Sequence, residues 1–426
     1  MTRQPSSLTA RPARARGPRA HARGWIGSAL LAGAAWLGLG PAHAAAQAAP
    51  DARACISAPW QLWEDFRTHF VQPDGRVLDA STPKLHSSSE SQSYAMFFAL
   101  VANDPERFEQ LWRWSVNNLA GGDMRQRLPA WIWGKDEQGK WRVLDQNSAS
   151  DGDMWFVYAL AEAARLWNRP DYLEDARALL ALVETREIAQ LPGFGPMLLP
   201  GENGFVQDGG VWLLNPSYLP IPIMRRLAAL SPQGPWSEIA TGTAALLEAG
   251  SPHGLATDWL AYRGWTQEGK PQGAFSTLPE KLDIGSYDAI RTYLWSGMTA
   301  PSDPLAKRVN AALRGMLGAV RRHGGPPEFI YALSGGTRGL GPFGFSAAVL
   351  PYLRANGATE DADHARARAE EGVRQSLSQA ATQAPPYYDF MLSLFGLGWD
   401  QQRYRYDGAG RLQPSWENSC PNAATR

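Results

Sequence analysis

"SESQSYAMFFALVANDPERFEQLWRW", residues 89–114, holds two helical segments of unlike character, one directly after the other. The first opens on serines, a glutamate and a glutamine, then runs apolar on every side from Tyr94 to Val101. The second follows the break Asn103-Asp104-Pro105 and sets Glu106, Arg107, Glu109 and Arg113 against Phe108, Leu111 and Trp112 at three- and four-residue steps. A helix that is apolar all round must be enclosed, whereas one with a single apolar stripe lies on the outside. This pair therefore reads as an inner helix followed by an outer one.

The same alternation recurs along the chain. Helical periodicity marks twelve segments, near 60–70, 90–102, 105–119, 151–167, 171–187, 216–230, 235–249, 286–298, 303–323, 344–355, 359–379 and 387–397, separated by breaks rich in Gly, Pro and Asn. Those near 105, 171, 235, 303 and 359 are charged, as in "ATEDADHARARAEEGVRQ" (358–375). Those near 90, 151, 216, 286, 344 and 387 begin with polar or aromatic motifs and turn apolar: "DGDMWFVYAL" (151–160), "NPSYLPIPIM" (215–224), "GSYDAIRTYL" (285–294), "GFSAAVLPYL" (344–353) and "PYYDFMLSLF" (386–395). Twelve helices in six inner–outer pairs predict an all-α, two-layered (α/α)6 barrel, with strands such as "KWRVLD" (140–145) and "TDWLAYRGW" (257–265) as minor appendages. If the inner helices run in one direction, their N-terminal ends surround one mouth. No Ser/Pro-rich linker divides the chain, so residues 45–426 read as one domain.

Ahead of that domain, residues 1–44 carry six arginines and no acid, an apolar stretch "WIGSALLAGAAWLGLG" (25–40), and "PAHA" ending at Ala44. This is the pattern of a secretory signal peptide; the apolar stretch is shorter than the ~20 residues of a membrane span. Removing those six arginines from the 41 basic residues leaves 35 against 41 acidic ones. A mildly acidic exported chain is a poor partner for nucleic acid. Cys55 and Cys420 stand near the two ends of the mature chain. Export permits a disulfide between them, the alternative being two free thiols. Tryptophan is abundant, 18 residues beside 13 Tyr and 14 Phe, and indole faces suit the apolar faces of sugar rings.

Glu90, Asp151, Asp153 and Asp288 stand at the starts of predicted inner helices, where exposed amides favour negative charge. Helix capping is the ordinary explanation of each one singly, and Ser89 with Gln92 has the spacing of a capping box. Their coincidence around one mouth, among aromatic residues, points instead to paired carboxylates for glycoside hydrolysis. His69, His86, His253, His323 and His364 show no metal-ligand spacing, and neither a nucleophile elbow nor a phosphate loop occurs. No metal or cofactor is expected. The glycines of "SGGTRGLGPFG" (334–344) read as a turn-rich loop.

Seven motifs in order, "SESQSYAMFFALVANDPERF" (89–108), "RLPAWIWGK" (127–135), "NSASDGDMW" (147–155), "NPSYLP" (215–220), "SYDAIR" (286–291), "GPFGFSAA" (341–348) and "LFGLGWDQ" (394–401), resemble glycoside hydrolase family 8. Within it they resemble the endo-β-1,4-glucanases that accompany bacterial cellulose synthases. The likeness spans about residues 55–420. It implies an inverting enzyme of the periplasm or exterior acting on β-1,4-glucan, with the cellulose synthase and export machinery as partner. It also implies Glu90 as general acid, Asp288 as general base, Asp151 as the residue holding the sugar at the cleavage point, and Tyr287 and Arg291 flanking the base. Inverting enzymes hold their carboxyls about 6.5–9.5 Å apart, the spacing expected for Glu90 and Asp288. Relatives usually have glycine where this chain has Ser91; at a helical position serine is harmless or mildly stabilising. Burial is expected to raise the pKa of Glu90. Gln92 and Asp153 join the substrate-binding set, with Trp131, Trp133, Trp155, Trp212 and Tyr218 as platforms for glucose rings. Family members also act on xylan, chitosan or mixed-linkage glucan, and a non-catalytic polysaccharide-binding protein is the rival of another class.

Overall fold

A computed structural model describes residues 59–277 and 283–417. The signal peptide and both cysteines lie outside the described residues. Thirteen α-helices occur among those described: α1 (Gln61–Phe70), α2 (Ser89–Val101), α3 (Pro105–Leu119), α4 (Ser150–Trp167), α5 (Pro170–Arg186), α6 (Ile221–Leu230), α7 (Trp236–Gly250), α8 (Ala289–Met298), α9 (Ala306–Ala312), α10 (Gly315–His323), α11 (Phe343–Ala355), α12 (Thr359–Ser378) and α13 (Tyr387–Asp400). Each of the twelve segments is helical. The extra helix arises because segment 303–323 is broken where the chain presses on the 251–254 turn: a Cβ on Gly315 would lie 2.1 Å from the His253 carbonyl oxygen. Segment 216–230 begins late for a different reason. Pro216, Pro220 and Pro222 lack the N–H that a helix interior requires, so a 3-10 turn (Pro216–Tyr218) precedes α6.

Burial separates the layers. Every residue of α8 is buried, as is every residue of α2 except Glu90. In α12 only Ala362, Ala365, Ala369 and Val373 are buried, one stripe at three- and four-residue spacing. The inner ring runs α2, α4, α6, α8, α11, α13 and closes through Phe98 of α2 on Phe395 of α13, ring centroids 4.6 Å apart. Outside it α3 packs on α2, α5 on α4, α7 on α6, α9 on α8, α12 on α11 and α1 on α13. This is an (α/α)6 barrel. Close backbone approach tightens it: a Cβ on Gly396 of α13 would fall 1.8 Å from the Ala347 carbonyl of α11.

Strands are short and antiparallel and sit in the connections. The hairpin Ile132–Lys135 with Trp141–Asp145 pairs onto Ser87–Ser88, just ahead of α2. Ile284–Gly285 pairs with Phe329–Tyr331 just ahead of α8. A four-stranded meander of 206–207, Val211–Leu214, Leu260–Gln267 and Lys270–Ser276 delivers the chain to Asn215. The strands thus lead into inner-helix N-termini and build the rim of the mouth. Among the described residues no helix is long and apolar enough to cross a membrane.

Candidate active site

At the start of α2 the structure corrects the expected cap by one residue. Ser88, in extended conformation, is the N-cap: its hydroxyl accepts from the Ser91 N–H (3.1 Å), and the Ser91 hydroxyl accepts from the Ser88 N–H (3.0 Å). Ser91 is therefore helical and completes the capping box. Gln92 takes no part in the cap and cannot meet substrate. It is fully buried, accepting from the Val77 N–H and donating to Gly75 O, Leu111 O and Ser115 Oγ, which fastens the 71–78 connection to α2 and α3. With the cap supplied by its neighbours, the half-buried Glu90 is left free. Its Oε2 accepts from the Ser89 hydroxyl (3.0 Å) and its Oε1 from the Trp131 indole N–H (3.0 Å).

Asp151, in the first turn of α4, is buried beside it. The Tyr94 hydroxyl donates to its Oδ2 (3.1 Å), the Gly152 N–H to its Oδ1 (2.9 Å), and Arg291 stands 3.8 Å away. The two helix starts are in contact because residue 152 is glycine: a Cβ there would be 2.7 Å from Ser89 Oγ and 3.0 Å from the Glu90 N–H. Burial raises the Glu90 pKa, against its own backbone N–H, the Arg291 charge and the Ser89 and Trp131 hydrogen bonds. Burial and then the Glu90 charge push Asp151 up to about 7. The neighbours interact strongly enough to titrate as a pair.

Asp288 is the N-cap residue of α8 but makes no capping bond. That work falls to Asp258, whose Oδ1 accepts from the Ser286 and Ala289 N–H groups (both 2.7 Å) and whose Oδ2 accepts from the Ser286 hydroxyl. Asp288 turns instead to Arg291 Nη2 (3.1 Å) and the Asn215 amide (3.1 Å). Arg291, itself buried, also donates to Ser217 Oγ (2.9 Å), and Ser217 is held in turn by Asn215 Oδ1. The carboxyls at the starts of α4 and α8 thus flank one guanidinium, whose charge also acts on Glu90 at the start of α2. Tyr218 lies against it, its ring centroid 5.7 Å from the Arg291 guanidinium carbon. Tyr287 is exposed on the rim, its hydroxyl 3.4 Å from Glu328 and its ring packed on Phe345.

The aromatic expectations divide. Trp131 is 40% exposed, so its ring is open to solvent while its N–H grips Glu90. Trp133 is half-buried, stacked on Trp141 with centroids 5.3 Å apart and planes 8° apart, and Arg76 lies over both rings at 4.6 Å. It supports the hairpin, and Trp141, 45% exposed, offers the open face. Trp212 is half-buried against Tyr262 in the four-stranded sheet. Trp155 is corrected outright. It is 1% exposed and enclosed by the rings of Tyr94, Phe97, Tyr158, Trp295 and Phe395, because Asp151 and Trp155 stand a helical turn apart and only the first turn reaches the mouth. Asp153 is likewise fully buried and cannot touch substrate. Much of the tryptophan excess is core packing: Trp60, Trp63, Trp112, Trp114, Trp155, Trp236, Trp295 and Trp416 are all buried. Tyr94, Asn215, Ser217 and Asp258 escape a reading of the sequence, although Asn215 and Ser217 lie within "NPSYLP". A cleft lined by Trp63, Arg67, Asp104, Glu109 and Arg169 lies elsewhere, at the other end of α2, and none of the three carboxylates lines it.

The model of glycosyl hydrolases family 8 matches residues 44–402. The chain belongs to glycosyl hydrolase family 8. It is a glycoside hydrolase similar to the endoglucanase of Pseudomonas fluorescens (strain SBW25), 46% identical over 376 residues that make up 86% of this chain and 93% of that protein. It is also similar to the endoglucanase of Escherichia coli (strain K12), 40% identical over 85% of this chain and 93% of that one. Among solved structures, the endo-1,4-D-glucanase of Vibrio fischeri ES114 superposes with a TM-score of 0.76 at 38% identity, covering 84% of this chain and 99% of that one. The endo-beta-1,4-glucanase CMCax of Acetobacter xylinum gives 0.62 at 27% identity, covering 82% and 98%.

Proposed function

We propose that this family 8 hydrolase is an exported endo-β-1,4-glucanase that cleaves with inversion, Glu90 as general acid and Asp288 as general base. The observation carrying this reading is the contrast between the two environments. Burial favours the proton on Glu90, whereas Asp288 is oriented by the Arg291 guanidinium and the Asn215 amide. A buried carboxyl as acid and a second, separately oriented carboxyl as base is the division of labour that inverting hydrolysis needs.

In the reaction Glu90 gives its proton to the glycosidic oxygen as the bond to the anomeric carbon breaks. Asp288 takes a proton from a water that attacks that carbon from the opposite face, so the new hemiacetal is the α-anomer. Glu90 ends deprotonated and Asp288 protonated, and exchange with solvent resets both. Asp151, buried, held by Tyr94 and beside Arg291, is assigned to the sugar at the cleavage point by the family resemblance alone. The open faces of Trp131, Trp141 and Tyr287 suit neighbouring glucose rings. Endoglucanase names among the relatives support β-1,4-glucan as substrate. The signal-like N-terminus supports export, and the likeness to endoglucanases of cellulose secretion supports trimming of newly made glucan beside the synthase.

The test incubates the protein and its Glu90→Gln variant with carboxymethylcellulose, following viscosity, reducing ends and anomeric configuration by NMR. Rapid viscosity loss with α-anomer product, abolished in the variant, is expected. Binding without hydrolysis by the unaltered protein would leave the polysaccharide-binding rival standing, and β-anomer product would exclude inversion. Faster cleavage of xylan, chitosan or mixed-linkage glucan would move the substrate within the family.

A further inference from the structure

Behind the mouth lie two buried acids, and neither makes an ion pair among the described residues. Asp153 lies two residues beyond Asp151 on α4, which turns it away from the mouth and toward the end of α5. Glu187 follows the last residue of α5, its N–H donating to Val183 O and its carbonyl accepting from Leu199 N–H. Both are fully buried. The Ser148 hydroxyl donates to Glu187 Oε1 (2.5 Å). The other three oxygens, Asp153 Oδ1 and Oδ2 and Glu187 Oε2, are buried without a donor, and each carboxyl acts on the titration of the other. Two carboxylates in that position cannot both stay ionised. A proton between them turns one into the donor that the other lacks.

We propose that Asp153 and Glu187 share a buried proton and act as positioning residues for Glu90 and Asp151. The route is short, a chain of hydrogen bonds and adjacent residues. Ser148, bound to Glu187, also accepts from the Glu202 N–H (2.9 Å). Its neighbour Asn147 accepts the Trp131 N–H at its carbonyl (2.7 Å), and Trp131 in turn holds both Glu90 and the Ser89 N–H. Three residues after Ser148 stands Asp151. The pair thus anchors the 147–153 segment, which sets Trp131 against one catalytic carboxyl and supplies the other acid.

Burial and then the Glu187 charge push the Asp153 pKa well up, and burial brings Glu187 to about 8. The groups facing the pair are acids: Asp151 of α4 and Glu90 of α2 act on Asp153, while Asp151 and Glu202 act on Glu187. Glu202 is paired with Arg186 at 3.5 Å. A carboxyl whose pKa is raised by folding stabilises the fold fully below the unfolded value of about 4. That stabilisation is lost as pH rises toward the folded value, about 8 for Glu187.

The role assigned to the pair rests on the catalytic reading of Glu90 and Asp151; the shared proton does not. Melting temperature measured from pH 5 to 8 for the unaltered protein and Glu187→Gln tests the proton. A glutamine amide donates to Asp153 permanently, so the variant should lose less melting temperature across that range. Parallel slopes would overturn the shared proton, and Asp153→Asn gives the same comparison if Glu187→Gln does not fold. Steady-state kinetics test the positioning: Glu187→Ala should lower kcat by about 10²-fold, the scale of an ångström-sized misplacement, with KM within about twofold, and Gln should restore most of it. An alanine variant with unaltered kcat would overturn the positioning role. An altered slope together with an active Glu90→Gln variant would instead overturn the catalytic reading alone.

Discussion

Replacing Trp131 by Phe removes one hydrogen bond from Glu90 and leaves an aromatic ring in place. The indole N–H lies 3.0 Å from Oε1 and stabilises the charged form, so its loss raises the pKa further. A hydrogen bond to a charged group contributes about 1.5–3 kcal/mol when fully buried. Trp131 is 40% exposed, and solvent screening reduces that to about 0.5–1 kcal/mol. At about 1.4 kcal/mol per pH unit, the alkaline limb of kcat/KM should move upward by about half a pH unit, because Glu90, as the proposed general acid, works only while protonated. The assay is initial rate on a soluble cello-oligosaccharide well below KM, from pH 4 to 9. Loss of the indole face lowers the height of the profile, but the limb position reports the free enzyme's ionisation and is separable from it. Because Glu90 and Asp151 titrate together, the shift belongs to the pair. An unmoved limb, or one displaced to lower pH, would refute the reasoning.

Ser91→Gly should lower stability by about 1–2 kcal/mol, since it deletes one arm of the capping box and places glycine in a helical turn; thermal melting measures this, with kcat/KM expected to hold. Glu162→Ala should cost about 3–5 kcal/mol, because that buried carboxylate serves Arg165, Arg226 and the Leu412 N–H together; urea titration would show it. Asn215→Ala releases one side of Asp288 and should reduce kcat about tenfold or more, with KM little changed; unaltered kcat would mean that Arg291 orients the base alone. Asp258→Ala uncaps α8 and should lower both melting temperature and kcat, whereas Asp258→Asn, which can still accept through its amide oxygen, should recover much of each.

The barrel was legible because it is written in short-range pattern. Inner helices such as α2 and α8 are buried around nearly their whole circumference and an outer helix such as α12 carries one stripe, so the inner–outer alternation follows from which faces must leave water. The boundaries that shifted did so for reasons outside the local pattern: Gly315 against the His253 carbonyl split one outer helix, and three prolines delayed α6. The candidate carboxyls could be picked out one at a time but not distinguished from caps. Ser88, rather than Ser89, caps α2, and Asp258, thirty residues away in sequence, caps α8; both leave the neighbouring acid unemployed in the fold. Gln92, Asp153 and Trp155 sit beside residues that face the mouth, yet the helical turn carries each of them inward.

By itself the sequence determined the twelve helical segments, the two layers, the family and the ring of acids at the inner-helix starts, since these depend on composition and periodicity within a few turns. Only the tertiary structure decided which acids are free, which tryptophans are core, and that Glu90 and Asp288 are held by different partners. Those properties arise from contacts between segments far apart in the chain. Trp131 reaches Glu90, Asn215 reaches Asp288, Arg291 lies beside Asp151, and burial in a shared low-dielectric mouth gives each carboxyl a character that its own neighbours in sequence do not specify.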